Sequence, residues 1–258
     1  MMTPVFPQIP LKDMNAAQLV FELTREAEAL VYDEDRLIVN AAMIATHLHR
    51  NQTRSVRGDL PRVPYIEHPI RNALRALRFG KGSPQLIAAN LLHDTLEDCL
   101  DEIVRMFVNV DELPAHVNLE TIRGRRVAAF LWMAGAFGQH IADIVLEVSN
   151  KVGGTRQDYW MKLATLAERA GGTVPDPVAV DALIVKAMDL LDNAGSLRHQ
   201  LAAGEDPHVI LRRAEKYRPA VVLVSTALRA IGEIAISDAL DELEGHLSKI
   251  ITDLTVCG

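Results

Sequence analysis

One segment constrains this chain more than any other, because an apolar run ends abruptly in a crowd of acids. Pro84-Gln-Leu-Ile-Ala-Ala-Asn-Leu-Leu is followed by His93-Asp94-Thr-Leu-Glu97-Asp98, then by Asp101 and Glu102, with no Lys or Arg before Arg105. The first half must be buried, and Ser83-Pro84 offers it a helix start, a serine cap with proline at the first helical position. The second half sets carboxylates in or beside that buried layer. There they repel one another, face the unfavourable end of the helix dipole, and need pairing or a metal. Read as one helix from Ser83 to about Val104, the spacing places Glu97 beside His93 and Asp98 beside Asp94. Two potential ligands then share one layer and two further carboxylates the next, which suits a metal shell with a water-activating neighbour.

The rest of the chain reads as all-α. Apolar residues recur at helical spacing from Asn15 to Val31 (Leu19, Val20, Leu23, Ala27, Leu30) and from Leu37 to His49. A polar loop follows from Arg50 to Pro64, then a helix from Pro69 to Phe79. Asp176-Pro177 and Asp206-Pro207 repeat the cap-plus-proline start. Ser237 opens the last helix, whose Leu240, Leu243, Leu247, Ile250, Ile251 and Leu254 form one stripe. Only Val221 to Val224 reads locally as strand, and it sits among helix formers. Aromatics are 5% of the chain, which also favours helices over a β-sandwich. The breakers at 109–124, Gly153-Gly154 and Gly171-Gly172 do not resemble a linker, so residues 1–258 are expected to form a single domain, with helices at 207–255 packing on its core.

Several function classes are disfavoured. No apolar run is long enough to span a bilayer, and residues 1–10 lack the basic start and apolar stretch of a secretion signal. Cys99 and Cys257 make no disulfide framework and suit a reducing compartment, so a cytoplasmic protein with no membrane association is expected. A net charge of −7 argues against broad nucleic-acid binding, so an anionic ligand needs a local basic patch. Arg50, Arg54, Arg57 and Arg62 against Asp59 give one, a local +3 between Arg50 and Pro64. Guanidinium groups match phosphate oxygens, although arginines on a solvated loop would give the same composition. Lys151 and Arg156, around Gly153-Gly154, read as a surface turn or as a second phosphate contact.

His93-Asp94 alone can be a helix-end polar pair. Its company carries the argument. His68 lies upstream in Pro64-Tyr-Ile-Glu-His68-Pro69, and Asp189 downstream in the apolar stretch Ala182-Leu-Ile-Val-Lys186-Ala-Met-Asp189-Leu-Leu-Asp-Asn193. A capping His68 and an ion-paired Asp189 are the bland alternatives. His, then His-Asp, then Asp, each in or beside an apolar helix, makes chance a poor explanation.

With Ala45-Thr-His-Leu-His49-Arg-Asn-Gln52-Thr-Arg54 and Pro64-Tyr65-Ile-Glu-His68-Pro69, these stretches resemble the HD superfamily of metal-dependent phosphohydrolases. Within it they are most similar to the hydrolase domain of RelA/SpoT homologues and the small alarmone hydrolases, in family order over residues 36–200. The resemblance implies an HD-domain helical bundle and one divalent metal, manganese, held by His68, His93, Asp94 and Asp189. It implies that Glu97 and Asp98 handle the attacking water, that Arg54 packs on a guanine, and that Tyr65, Asn193 and Ser196 line a nucleoside pocket. The implied reaction removes the 3′-pyrophosphate of ppGpp or pppGpp to give GDP or GTP. The sequence departs from the pattern in four places. The loop from Arg54 to Tyr65 is long, Ser55 stands where a Lys is usual, extra material lies near 109–135, and Leu190 and Asp192 replace an Arg and a His. These changes keep open another nucleotide substrate, a deoxynucleoside triphosphate or a monophosphate, and a regulatory binder without turnover.

Overall fold

The computed structural model describes residues 9–28, 36–54, 62–150 and 154–256, and its architecture is all-α. Residues 1–8, Leu30, Val31, Ser55, Arg57, Asp59, Lys151, Gly153 and Cys257, on which the sequence reading also draws, lie outside the described residues. In chain order the helices are α1 (Ala16–Ala27), α2 (Leu37–Leu48), α3 (Glu67–Arg78), α4 (Pro84–Leu92), α5 (Thr95–Asp98), α6 (Leu100–Phe107), α7 (Ile122–Phe137), α8 (Gln139–Val148), α9 (Arg156–Ala170), α10 (Pro177–Asn193), α11 (Leu197–Ala202), α12 (Pro207–Ala230) and α13 (Ile234–Val256). Between α2 and α3 the expected loop holds a short antiparallel pair, β1 (Thr53–Arg54) with β2 (Val63–Pro64), Thr53 facing Pro64 and Arg54 facing Val63.

Local chemistry accounts for most starts. Asn15 accepts from the Gln18 backbone in a capping box, Asp176 accepts from Val178 and Ala179, and Asp206 accepts from His208. Ser83 departs from this rule. Its hydroxyl donates to Gln85 instead of capping α4, so Pro84 alone carries that start signal. Val221 to Val224 are absorbed into α12. The last helix starts at Ile234 rather than Ser237, which is buried within it and donates to the carbonyls of Glu233 and Ser225.

The largest correction concerns the segment from Ser83 to Val104, which is three helices. α4 ends at Leu92, α5 is a single turn, and Cys99 (φ −126°, ψ 20°) separates it from α6. Side chains compete with the helical ladder at the break: His93 Nδ1 bonds the Asn90 carbonyl at 2.8 Å and Thr95 Oγ1 donates to Leu92 at 2.7 Å.

α10 is the central helix. It packs against α3, α4, α8, α9, α12 and α13, and its Leu183 to Leu190 are all buried. α4 is enclosed by α2, α3, α8 and α10, so both chemistry-bearing segments start from the middle of one apolar cluster running from Met14 to Ile250. Among the described residues, no helix is long and apolar enough to cross a membrane.

The extra segment near 109–135 contributes α7, which packs on α6 and α8. Its first turn lies so close to the preceding loop that a Cβ on Gly124 would sit 1.8 Å from the Asn118 carbonyl oxygen. Replacing a helical glycine by alanine ordinarily stabilises by about 1 kcal/mol. Gly124→Ala should instead destabilise by about 1 kcal/mol or more, because backbone must move. Urea unfolding of the two proteins decides the sign.

Candidate metal centre

Three elements deliver the ligands that the sequence pattern singles out. His68 is in the first turn of α3, His93 and Asp94 form the break after α4, and Asp189 lies in α10, 95 residues beyond Asp94. They converge. Ligand atoms of the buried His68, His93 and Asp189 all lie within 4.8 Å of one another, a group that can hold a metal ion. His68 Nε2 is 3.2 Å and His93 Nε2 3.8 Å from Asp189 Oδ1. Asp94 Oδ2 joins them, 2.9 Å from His93 Nε2 and 3.5 Å from His68 Nε2.

The hydrogen bonds on the far side of each ring test whether this group fits a cation. His93 Nδ1 faces the Asn90 carbonyl, which can only accept, so Nδ1 carries the proton. His68 Nδ1 faces the Asp192 carboxylate at 2.8 Å and carries its proton for the same reason. Both Nε2 lone pairs then point at carboxylates, and neither buried Nε2 has a hydrogen-bond partner. Two lone pairs facing two carboxylates demand a positive charge between them. A proton meets the demand in part: burial pulls His93 down, but Asp94 and Asp189 override it and raise its pKa to about 10. A divalent ion meets it in full, and imidazole with carboxylate is a suitable donor set.

A residue read in the sequence only as a departure organises the surroundings. Asp192 is fully buried on α10, one turn from Asp189. Besides His68 it takes Arg71 Nε at 2.9 Å, Arg75 at 2.8 Å and Lys12 Nζ at 3.0 Å. Burial works to raise its pKa, but Lys12, Arg75 and Arg71 hold it well below the usual carboxylate range. Asp189 is steadied by Lys186 at 2.8 Å and by the Asn193 amide. The available signal was positional, since His68, Arg71 and Arg75 recur on one face of a helix and Asp189 and Asp192 on another.

The two carboxylates assigned to water are separated by the helix break. Glu97 does not stand beside His93 in a continuous helix; its carboxylate accepts from the Asn150 backbone at 2.8 Å and from the Asn150 amide. Asp98 sits at the rim near Tyr65, pushed up to about 6 by burial and by Asp94 and Glu97. Tyr65 donates to Asp94 Oδ2 at 2.7 Å, and the Arg54 guanidinium lies 5.6 Å from its ring centre while donating to Asn193. Arg54, Tyr65 and Asn193 line a cavity of about 360 Å³ that also takes in Arg62 and Arg213. Ser196 does not line that cavity: it is buried, donating to the Asp192 carbonyl and accepting from Lys12. The expected basic patch is also divided, since Arg50 pairs with Glu102 and faces a different cavity.

No protein-family model matches the sequence, and no curated protein matches it.

Elemental analysis of the purified protein should find about one transition metal per chain, lost in Asp94→Ala. Asp192→Asn should keep the metal but weaken it by roughly 10- to 100-fold, the scale on which partners of a ligating histidine act. Chelator competition measures this, and unchanged affinity would reduce Asp192 to a packing role.

Proposed function

We propose that this chain is a metal-dependent phosphohydrolase of the HD type, with manganese as its resident ion and a guanosine nucleotide bearing a 3′-pyrophosphate as its substrate. The observation that carries the reading is the convergence of His68, His93, Asp94 and Asp189, both Nε2 atoms unpartnered, next to the carboxylates of Glu97 and Asp98. When bound, a divalent ion polarises a phosphoryl oxygen and lowers the pKa of a bound water.

The chain's own residues supply the rest. Asp98, at about 6, is ionised near neutral pH yet basic enough to take a proton from the attacking water. Glu97, fixed by two donors of Asn150, orients that water. The water oxygen bonds to the phosphorus nearest the ribose, the bond to the 3′ oxygen breaks, and that oxygen leaves as a hydroxyl carrying the proton that Asp98 took from the water. Tyr65 holds Asp94 in place, and the arginines around the 360 Å³ cavity suit a polyanionic nucleotide.

A second reading, hydrolysis of a deoxynucleoside triphosphate or a monophosphate, is favoured by the nucleoside side of the site. Ser196 is enclosed by Lys12, and Arg54 lies 3.9 Å from Asp192, where the family pattern has a different residue. A hydrolysis panel of ppGpp, dATP, dGTP and GMP with manganese separates the two, with pyrophosphate release from ppGpp as the expected result. Faster cleavage of a deoxynucleotide would promote the second reading.

Two substitutions test the roles. Asp98→Asn should retain metal while activity falls by about 10²-fold or more, the scale of a lost general base. Arg54→Ala should raise KM for ppGpp by roughly five- to thirtyfold with little change in kcat, as expected for a lost cation–π contact. An equal loss on every nucleotide in the panel would make Arg54 a general phosphate contact.

A further inference from the structure

A cavity of about 900 Å³ opens beside Glu97 between α7, α8 and α9. Two cations stand in its wall. Arg126 of α7 donates to the carbonyls of Asn150 at 2.8 Å and Ser149 at 3.1 Å. Lys162 of α9 donates to Ser149 at 2.6 Å and to Leu146 at 3.2 Å. Both are partly buried, they share one carbonyl oxygen, and among the described residues neither has a carboxylate within ion-pair distance. The acids whose fields reach them are engaged elsewhere, Glu97 with Asn150 and Glu147 with Arg169.

A helix C-terminus such as that of α8 is well served by one cation. Two on the same oxygen repel each other, and an anion placed between them removes the conflict while gaining two charge-assisted bonds. Burial, with the charge of Arg126, holds Lys162 down to about 8 against the pull of Glu147. Arg156 and Lys216 line the same cavity and extend its positive character. Asn150 joins the two sides, since its backbone carbonyl binds Arg126 and its N–H groups bind Glu97.

We propose that Arg126 and Lys162 form an anion subsite for a phosphoryl or pyrophosphate group, placed on the Glu97 side of the metal centre. Arg126 comes from the segment near 109–135 that is extra to the resembling pattern, so the subsite is a feature of this chain. Only the identity of the group as part of a nucleotide rests on the hydrolase reading; the anion binding itself does not.

Inorganic pyrophosphate, titrated into the full chain as purified and followed by calorimetry, should bind saturably. Arg126→Gln and Lys162→Gln should each weaken it by about tenfold or more, while Lys162→Arg stays within about threefold. Both cations also cap α8, so their removal risks the fold, and Thr165→Glu provides an independent arm. Thr165 is exposed, lines the cavity and sits one turn from Lys162, so a carboxylate there neutralises the subsite without touching the carbonyl contacts. Thr165→Glu should likewise weaken pyrophosphate by about tenfold. Asp94→Ala, lacking the metal, should still bind it. No saturable binding, wild-type affinity in Thr165→Glu, or binding lost only in Asp94→Ala would each overturn the subsite. Pyrophosphate bound through Lys162 in a protein that cleaves none of the panel nucleotides would sink the hydrolase reading and leave the subsite standing.

Discussion

The buried carboxylate of Asp192 is the interaction on which the site depends. Taking one carboxylate and three cationic groups out of water costs several kcal/mol per ion, and only mutual pairing with satisfied geometry repays it. Here Asp192 meets Arg71, Arg75 and Lys12 and also accepts from His68. The arrangement is therefore over-determined at Asp192: loss of one cation leaves it paired by the others, whereas loss of the carboxylate removes a shared partner from Lys12, Arg71 and Arg75. It fixes α3 against α10, and with them the ring orientation of His68 and the position of Asp189. The same network draws the lead-in before α1 onto the C-terminal end of α10, since Lys12 also reaches the Asp192 carbonyl at 2.6 Å.

How much of this was legible follows from how local each cause is. Asn15, Asp176 and Asp206 act within one turn, so their helices could be read from the sequence, as could the stripe of α13. The break at His93-Asp94 could not, because the alternative bonds of His93 and Thr95 are as short-range as the helix they replace. A two-residue pair such as Thr53–Arg54 with Val63–Pro64 carries too few side chains to leave a period-2 pattern. In the candidate site, residue types able to ligate a metal singled out His68, His93, Asp94 and Asp189, whose ligand atoms converge. Asp192 was visible only as an unexpected residue, because its meaning lies in His68, 124 residues distant.

The helix break is also what gives the two acids different surroundings. In a continuous helix Glu97 would lie over His93 and both carboxylates would share one environment. The turn from Asp94 to Cys99 instead sends Glu97 to Asn150, just past the end of α8, where it accepts from the backbone N–H and the side-chain amide. Asp98 stays near Asp94 and Tyr65, where burial and the charges of Asp94 and Glu97 raise its pKa to about 6. The backbone thus gives two adjacent acids different partners, Asn150 for Glu97 and the Asp94–Tyr65 side for Asp98.

The segment near 109–135 bears on the candidate site although it adds no ligating side chain to it. Gly124 lets the first turn of α7 close onto Asn118, and Arg126 follows two residues later. Arg126 holds the carbonyls of Ser149 and Asn150, and Asn150 holds Glu97. A chain of contacts therefore runs from a steric constraint in the loop at 118 to a carboxylate three residues from Asp94 of the candidate site. Arg126 reaches the Asn150 carbonyl at 2.8 Å and the Asn150 N–H reaches Glu97 at 2.8 Å, so α7 and α8 contribute to the position of Glu97 along with the short helix that carries it.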